Sequence, residues 1–296
     1  MLNKPLGGAV AVRFFMPSAA LAPYVSTYYL TEITLAPGDA VEDWLHPEWA
    51  NLRFATGGEW SSGLGDVPLE PLSGAILTGP TSQAAHFRLG GGTRAWGVGL
   101  LPLGWLRLIG VPASGFIDRT VAVVNEPCCA QFRDLPAAVI TGTPNPAEEA
   151  ARIDAYLLAL LARSAPSEDE PRIRAAHTAL IDEDVTSVSA LAERLGISSR
   201  SLERLSLKAF GFSPKLLLRR QRFLRSLAQF MLDPSLTWIK TLDFQYVDQA
   251  HFVRDFRRFM AMSPRRYAGL DHPVLRAAVQ GRTAAAGAAV QALHRP

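Results

Sequence analysis

Two clusters of side chains in this 296-residue chain have the types and spacing for recognition chemistry. The first is Ser199, Arg200, Glu203, Arg204 and Lys208; the second is Gln249, His251, Arg254, Arg257 and Arg258. On a helix each set forms a polar face opposite an apolar stripe, which is Leu202, Leu205 and Ala209 in one and Phe252, Phe256 and Phe259 in the other. Such a face suits the major groove of DNA, where Arg pairs with guanine and Gln with adenine. Two solvated faces of an ordinary helical bundle would explain either set alone. The repetition argues against that: Ser198 to Pro214 recurs as Asp248 to Pro264, at an offset of 50 residues, with Leu202 matching Phe252, Arg204 matching Arg254 and Ser213-Pro214 matching Ser263-Pro264.

Other chemistry is poorly provided for. Clustered His and carboxylate ligands would be needed for a metal site, and the first part of the chain offers only His46 and His86 with Glu48. Gly90, Gly91 and Gly92 suit a hairpin turn better than a phosphate cradle, and no Ser sits in a nucleophile elbow. No catalytic residue, metal or cofactor is therefore expected. Trp44, Trp60 and Trp96 with Arg53 and Arg88 as polar anchors form a candidate ligand pocket, although large aromatics, Trp49 among them, more commonly fill cores. Cys128 and Cys129 are neighbours, too constrained for an ordinary disulfide with each other.

The elements that must position the two faces are legible. Val188, Leu191, Ala192 and Leu195 give a short amphipathic helix ended by Gly196, and Ser198 caps the next. Ser213 caps a further helix with Pro214 in its first turn. Residues 214 to 232 would make a spacer about 28 Å long, near the roughly 34 Å between successive major-groove faces. Arg219, Arg220, Arg222 and Arg225 crowd this spacer, and plain solubility would account for them.

With these residues in place, the run from Ser187 to Leu270 resembles the DNA-binding domain of the AraC/XylS transcriptional regulators. VDQAHFVRDFRRFMAMSPRRY, residues 247 to 267, matches the family's signature at Asp248, Gln249, His251, Phe252, Arg254, Phe256, Arg257, Phe259, Ser263, Pro264 and Tyr267. The resemblance implies two helix-turn-helix units joined by a linker helix. It also implies base-reading positions at Arg200, Glu203 and Arg204 on the first recognition helix and at Gln249, Ala250, His251 and Arg254 on the second. Ser199, Lys208, Arg225, Arg257 and Arg258 are the phosphate candidates. The chain departs from the pattern at Thr241, at Gln245, where a turn Gly is usual, at Ser206 and at Ala261, which replaces another Gly. A turn that wants positive φ is costlier without Gly, so relief is expected from Gly at 245.

Composition agrees with a modular chain. Residues 1 to 171 hold 10 Lys and Arg against 17 Asp and Glu, a net of −7, while residues 172 to 296 hold 20 against 10, a net of +10. That split suits a sensor joined to a DNA-binding half. Of the 23 Gly, 17 lie in residues 1 to 115 and bracket short β-rich runs. FMPSAALAPYVSTYYL and GVGLLPLGWLRLIGVPAS loosely resemble the N-terminal domain of a subset of the same regulators. The expectation is a two-domain α+β chain. Residues 1–125 form a cupin-like β-barrel or sandwich for sensing or dimerisation, and residues 126–171 a connector with a helix over 147–163. Residues 172–272 form the all-α double helix-turn-helix domain, and 273–296 a loosely ordered Ala-rich tail. No stretch is long and apolar enough for a membrane span, so a cytoplasmic protein is expected. Double-stranded DNA is the expected partner; RNA polymerase, a small-molecule effector and a second copy of the chain are further candidates. The rival class is a metal-dependent cupin-type enzyme or binding protein fused to a degenerate helical domain.

Overall fold

The computed structural model describes residues 9–232, 242–243 and 245–286. Glycine-bounded runs of β-branched and aromatic residues build the first part: β1 (Val10–Phe15), β2 (Val25–Ile33), β3 (Ala40–Leu45), β4 (Asn51–Thr56), β5 (Trp60–Leu64), β6 (Glu70–Leu72), β7 (Ala75–Thr78), β8 (Ala85–Gly90), β9 (Arg94–Leu100) and β10 (Thr120–Ala122). Two antiparallel sheets result, ordered β1-β2-β9-β4-β7-β10 and β3-β8-β5-β6. Among the described residues both sheets keep free edges, so the expected cupin-like structure is an open pair of sheets and no barrel closes.

Strand periodicity decides which side chains face inward. In β8, Ala85, Phe87 and Leu89 face the space between the sheets. His86 and Arg88 take the opposite face, where both meet Glu42 of β3 at 3.1 and 3.7 Å. Trp44, paired in register with His86, stacks on it with ring centroids 4.3 Å apart. Gly97 of β9 serves a close approach: a Cβ there would lie 2.0 Å from the ring of Tyr29, its cross-strand partner.

The outer face of the larger sheet is covered by α1 (Pro102–Leu108) and α3 (Pro146–Arg163), and α2 (Leu135–Val139) packs on α3. Ile153, Leu157 and Leu160 of α3 are buried, and its Glu149 accepts from the Trp96 indole N–H at 2.7 Å and from Arg94 at 3.0 Å. The α3 stripe thus covers the sheet. Cys128 and Cys129 are free thiols, and burial pushes that of Cys129 up to about 12.

The second part is helical: α4 (Glu170–Ile181), α5 (Val188–Arg194), α6 (Ser199–Ala209), α7 (Pro214–Leu232), α8 (Gln249–Met260), α9 (Pro264–Ala268) and α10 (Pro273–Ala286). One apolar cluster runs from Leu30 and Trp96 through α1 and α3 to Leu191, Leu202 and Leu217, so the two parts share a core. The Ala-rich stretch after His272 predicts a loose tail, and there the structure differs. Helix α10 packs on β1 and β3, because Asp43 of β3 accepts from the Val274 and Leu275 N–H groups, both at 2.9 Å, and so satisfies its first turn. Residues 287–296 of that tail, and Thr241, lie outside the described residues. No helix among the described residues is long and apolar enough to cross a membrane.

Candidate nucleic-acid interface

The two repeat units are built by the same local chemistry. Ser198 caps α6 by accepting from the Ser201 N–H at 3.2 Å, and Asp248 caps α8 by accepting from the His251 N–H at 2.6 Å. Either side chain satisfies a backbone donor that the helix leaves unpaired. Ser213 and Ser263 do the same for the helices that follow, with Pro214 and Pro264 in the first turn. Each recognition helix buries its stripe: Leu202, Leu205 and Ala209 in α6, and Phe252, Phe256 and Phe259 in α8. Phe223 of α7 stands against the Phe256 and Phe259 rings at 5.5 and 5.0 Å.

What remains open is the polar face. Ser199, Arg200, Glu203 and Arg204 are exposed on α6, and Gln249, Ala250, Arg254, Arg257 and Arg258 are exposed on α8. Three candidates differ from expectation because a neighbour engages them. His251 is half-buried, with its Nε2 3.1 Å from the Arg222 guanidinium. Lys208 is paired with Asp169 at 2.6 Å. Arg225 is paired with the Asp243 carboxylate and keeps only 16% of its side-chain surface exposed, so it reaches a phosphate only by leaving that partner.

The α7 arginines are structural rather than solubilising. Arg219 and Arg222 both bond the carboxylate of Asp255, a fully buried residue of α8 that also accepts from the Tyr246 hydroxyl at 3.0 Å. Arg220 turns the other way and is fully buried. Its guanidinium lies 3.8 Å from the Trp49 ring centroid and donates to the carbonyls of Thr81 at 3.1 Å and Glu48 at 3.3 Å. Burial pushes the Arg220 pKa down to about 9, against the pull of Asp118 and Glu48. Further bonds fasten the second unit to the sheets: Ala84 N–H to the Phe259 carbonyl at 2.7 Å, His46 with the Tyr267 hydroxyl at 2.7 Å, and His272 with Asp43 at 2.8 Å. Sequence reading missed Asp255, although a carboxylate inside an Phe stripe is a signal for a buried cation.

The departures from the pattern also resolve. Ala261 is left-handed, at φ 54, and stands 50 residues after Gly211, at φ 84, so the repeat shows where the second unit lacks its Gly. Gln245 has work of its own: its N–H donates to Asp243 at 2.9 Å and its side-chain amide to the Glu183 carbonyl at 2.9 Å. The relief expected from Gly at 245 therefore moves to 261. Ala261→Gly is expected to stabilise the protein by about 0.5–1 kcal/mol. Chemical denaturation checks this, and a loss of stability would show that the αL turn is not strained.

The pocket residues separate as well. Arg53 and Trp60 line the space between the sheets; Trp96 borders it but commits its N–H to Glu149. Trp44 and Arg88 lie on the opposite face of the smaller sheet, since strand alternation turns them outward. The two histidines weighed as metal ligands point apart, His46 to Tyr267 and His86 to Glu42.

Among known proteins, a family model described as a helix-turn-helix domain matches residues 191–269. No curated protein matches the chain. Among solved structures, ToxT from Vibrio cholerae is similar at 11% identity, covering 78% of this chain and 97% of its own, with a TM-score of 0.42. The AraC-like transcriptional activator CuxR is 14% identical over 76% of this chain and 89% of its own, with a TM-score of 0.28. A cupin superfamily protein from Desulfitobacterium hafniense is 16% identical over 34% of this chain and 83% of its own, with a TM-score of 0.24. The family match begins within α5 and ends just after α9, on both repeat units, and residues 191–269 are an AraC-type helix-turn-helix domain of the DNA-binding kind that transcription regulators carry.

Proposed function

We propose that the chain is a sequence-specific DNA-binding transcription regulator rather than an enzyme, with its β-rich part sensing a small molecule and its helical part reading duplex DNA. The observation that carries this reading is the pair α6 and α8: each starts at a side-chain cap, buries one apolar stripe and leaves an Arg-bearing face open. The part boundary is placed at residues 164–171, where the charge changes sign. RNA polymerase and a second copy of the chain enter only as further partners.

In this reading Arg200, Glu203 and Arg204 address one major groove, and Gln249, Ala250 and Arg254 the next, with His251 beside them on the Arg222 side. Ser199, Arg257 and Arg258 hold phosphates; Lys208 does so only by leaving Asp169. Arg204→Ala and Arg254→Ala are each expected to cost about 1–3 kcal/mol and to relax preference at one base position. Arg258→Ala is expected to weaken all sequences alike and to flatten the salt dependence by about one unit. Affinities over a library of duplex sites at two salt concentrations check this. Equal, sequence-blind losses for all three variants would leave only a basic surface that adheres to DNA.

A further inference from the structure

Between the two sheets lies a cavity of about 300 Å³, at the lower end of the roughly 300–1,000 Å³ usual for small-molecule sites. Both parts of the chain build it. Phe87 and Leu89 come from the smaller sheet, Leu224 and Ala228 from α7, and Ala278 from α10. A molecule held there touches the linker helix as well as the sheets.

The charges of the lining cancel. Its arginines are Arg53 and Arg225, and its carboxylates are Glu48 and Glu183. Arg53 donates to Glu48 and, at 2.7 Å, to the Tyr29 hydroxyl. Burial works against the Arg53 charge, but Glu48 and Tyr29 outweigh it and push its pKa up. Arg225 is paired with Asp243. An anionic ligand would therefore meet guanidinium groups that already have carboxylates, with Glu48 beside them, and would gain little for the water it gives up.

Among the described residues, one buried amide of the lining stands out. Gln221 lines the cavity, is only 5% exposed, and its Nε2 has no hydrogen-bond partner. A buried donor without an acceptor is costly, and an oxygen on a bound molecule would satisfy it. Gln221 follows Arg220, which grips the sheets, and precedes Arg222, which grips Asp255 of α8. What Gln221 touches bears on the helix that positions the second recognition helix.

We propose that this cavity binds an uncharged, mainly apolar small molecule whose oxygen accepts a hydrogen bond from Gln221, and that this molecule is the signal transmitted through α7. The proposal rests on the regulator reading and names the ligand class for it.

The test uses two matched pairs of probes on the full chain: 1-acetonaphthone with 1-naphthoate, and decan-2-one with decanoate. Tryptophan quenching and the rise in melting temperature report binding, since Trp49 and Trp60 stand at the wall. At least one ketone is expected to saturate the protein and to bind about tenfold or more tightly than its carboxylate. Gln221→Leu is expected to weaken that ketone by roughly tenfold, the scale of one buried hydrogen bond, with the circular dichroism unchanged. Ala228→Phe, which fills the cavity from α7, is expected to abolish binding. The proposal is overturned if neither ketone binds, if a carboxylate binds the tighter, or if Gln221→Leu has no effect. DNA binding by the unliganded protein is measured alongside. Its absence would sink the regulator reading while leaving the ligand result standing.

Discussion

Asp255→Ala is expected to cost about 3–5 kcal/mol of stability, the range for removing one partner of a buried ion pair. The carboxylate is fully buried and holds three donors, Arg219, Arg222 and the Tyr246 hydroxyl. Without it Arg222, whose side chain is 17% exposed, loses its carboxylate, and Arg219 at 34% must turn to water. Arg222 also stacks 4.6 Å from the Tyr246 ring and approaches His251, so the loss reaches the face of α8 proposed to read bases. Asp255→Asn keeps the shape and part of the hydrogen bonding, and should cost clearly less. Denaturation gives the stability change, and DNA binding gives the functional one: discrimination at the site of α8 should suffer before that at the site of α6. A stability loss under about 1 kcal/mol, the value of a surface ion pair, would mean that apolar packing alone holds α8 to α7.

That network explains why the linker helix carries so many arginines. Arg219 and Arg222 face α8, while Arg220 and Gln221 face the sheets. On a helix, residues this close in sequence point in different directions, so α7 makes contact on two sides within four positions. A shift of α7 toward or away from the cavity would carry Asp255, and with it α8.

The sequence made the repeat legible because its information is local. Caps at Ser198 and Asp248, stripes at Leu202 and Phe252, and Ser-Pro starts at 213 and 263 each depend on neighbours within a turn or two. Arg88 was also legible: alternation in β8 puts Ala85, Phe87 and Leu89 on one face and leaves Arg88 on the other. Grouping it with Arg53 by residue type overlooked that parity. The hidden features are those whose partners are far apart in the chain. Composition shows Arg220 as one more surface cation, and only the fold brings the Glu48 and Thr81 carbonyls to it. The same holds for α10. Its alanines favour helix, but the cap that fixes its start comes from β3.

Asp43→Ala tests that distant cap and is expected to cost several kcal/mol as well, because each buried donor it strands costs about 1–3 kcal/mol. Asp43 is fully buried, and its two oxygens accept from the Trp44 N–H at 2.8 Å, from the Val274 and Leu275 N–H groups at 2.9 Å, and meet His272 at 2.8 Å. Alanine would strand all of these at once. The lost cap by itself is worth about 1 kcal/mol in an exposed helix, and burial of Val274 raises the stakes, because water cannot replace the missing acceptor. The loss should appear in two ways. Global stability falls, and the amides of residues 274 and 275 exchange faster than those in the buried β9, since α10 opens before the sheets do. Asp43→Asn, whose amide oxygen can still accept from the α10 N–H groups, should restore much of that protection. Equal exchange of the 274 and 275 amides in Asp43→Ala and the native chain would mean that apolar contact with β1 and β3 secures α10 unaided, and that the carboxylate of Asp43 serves only its own strand.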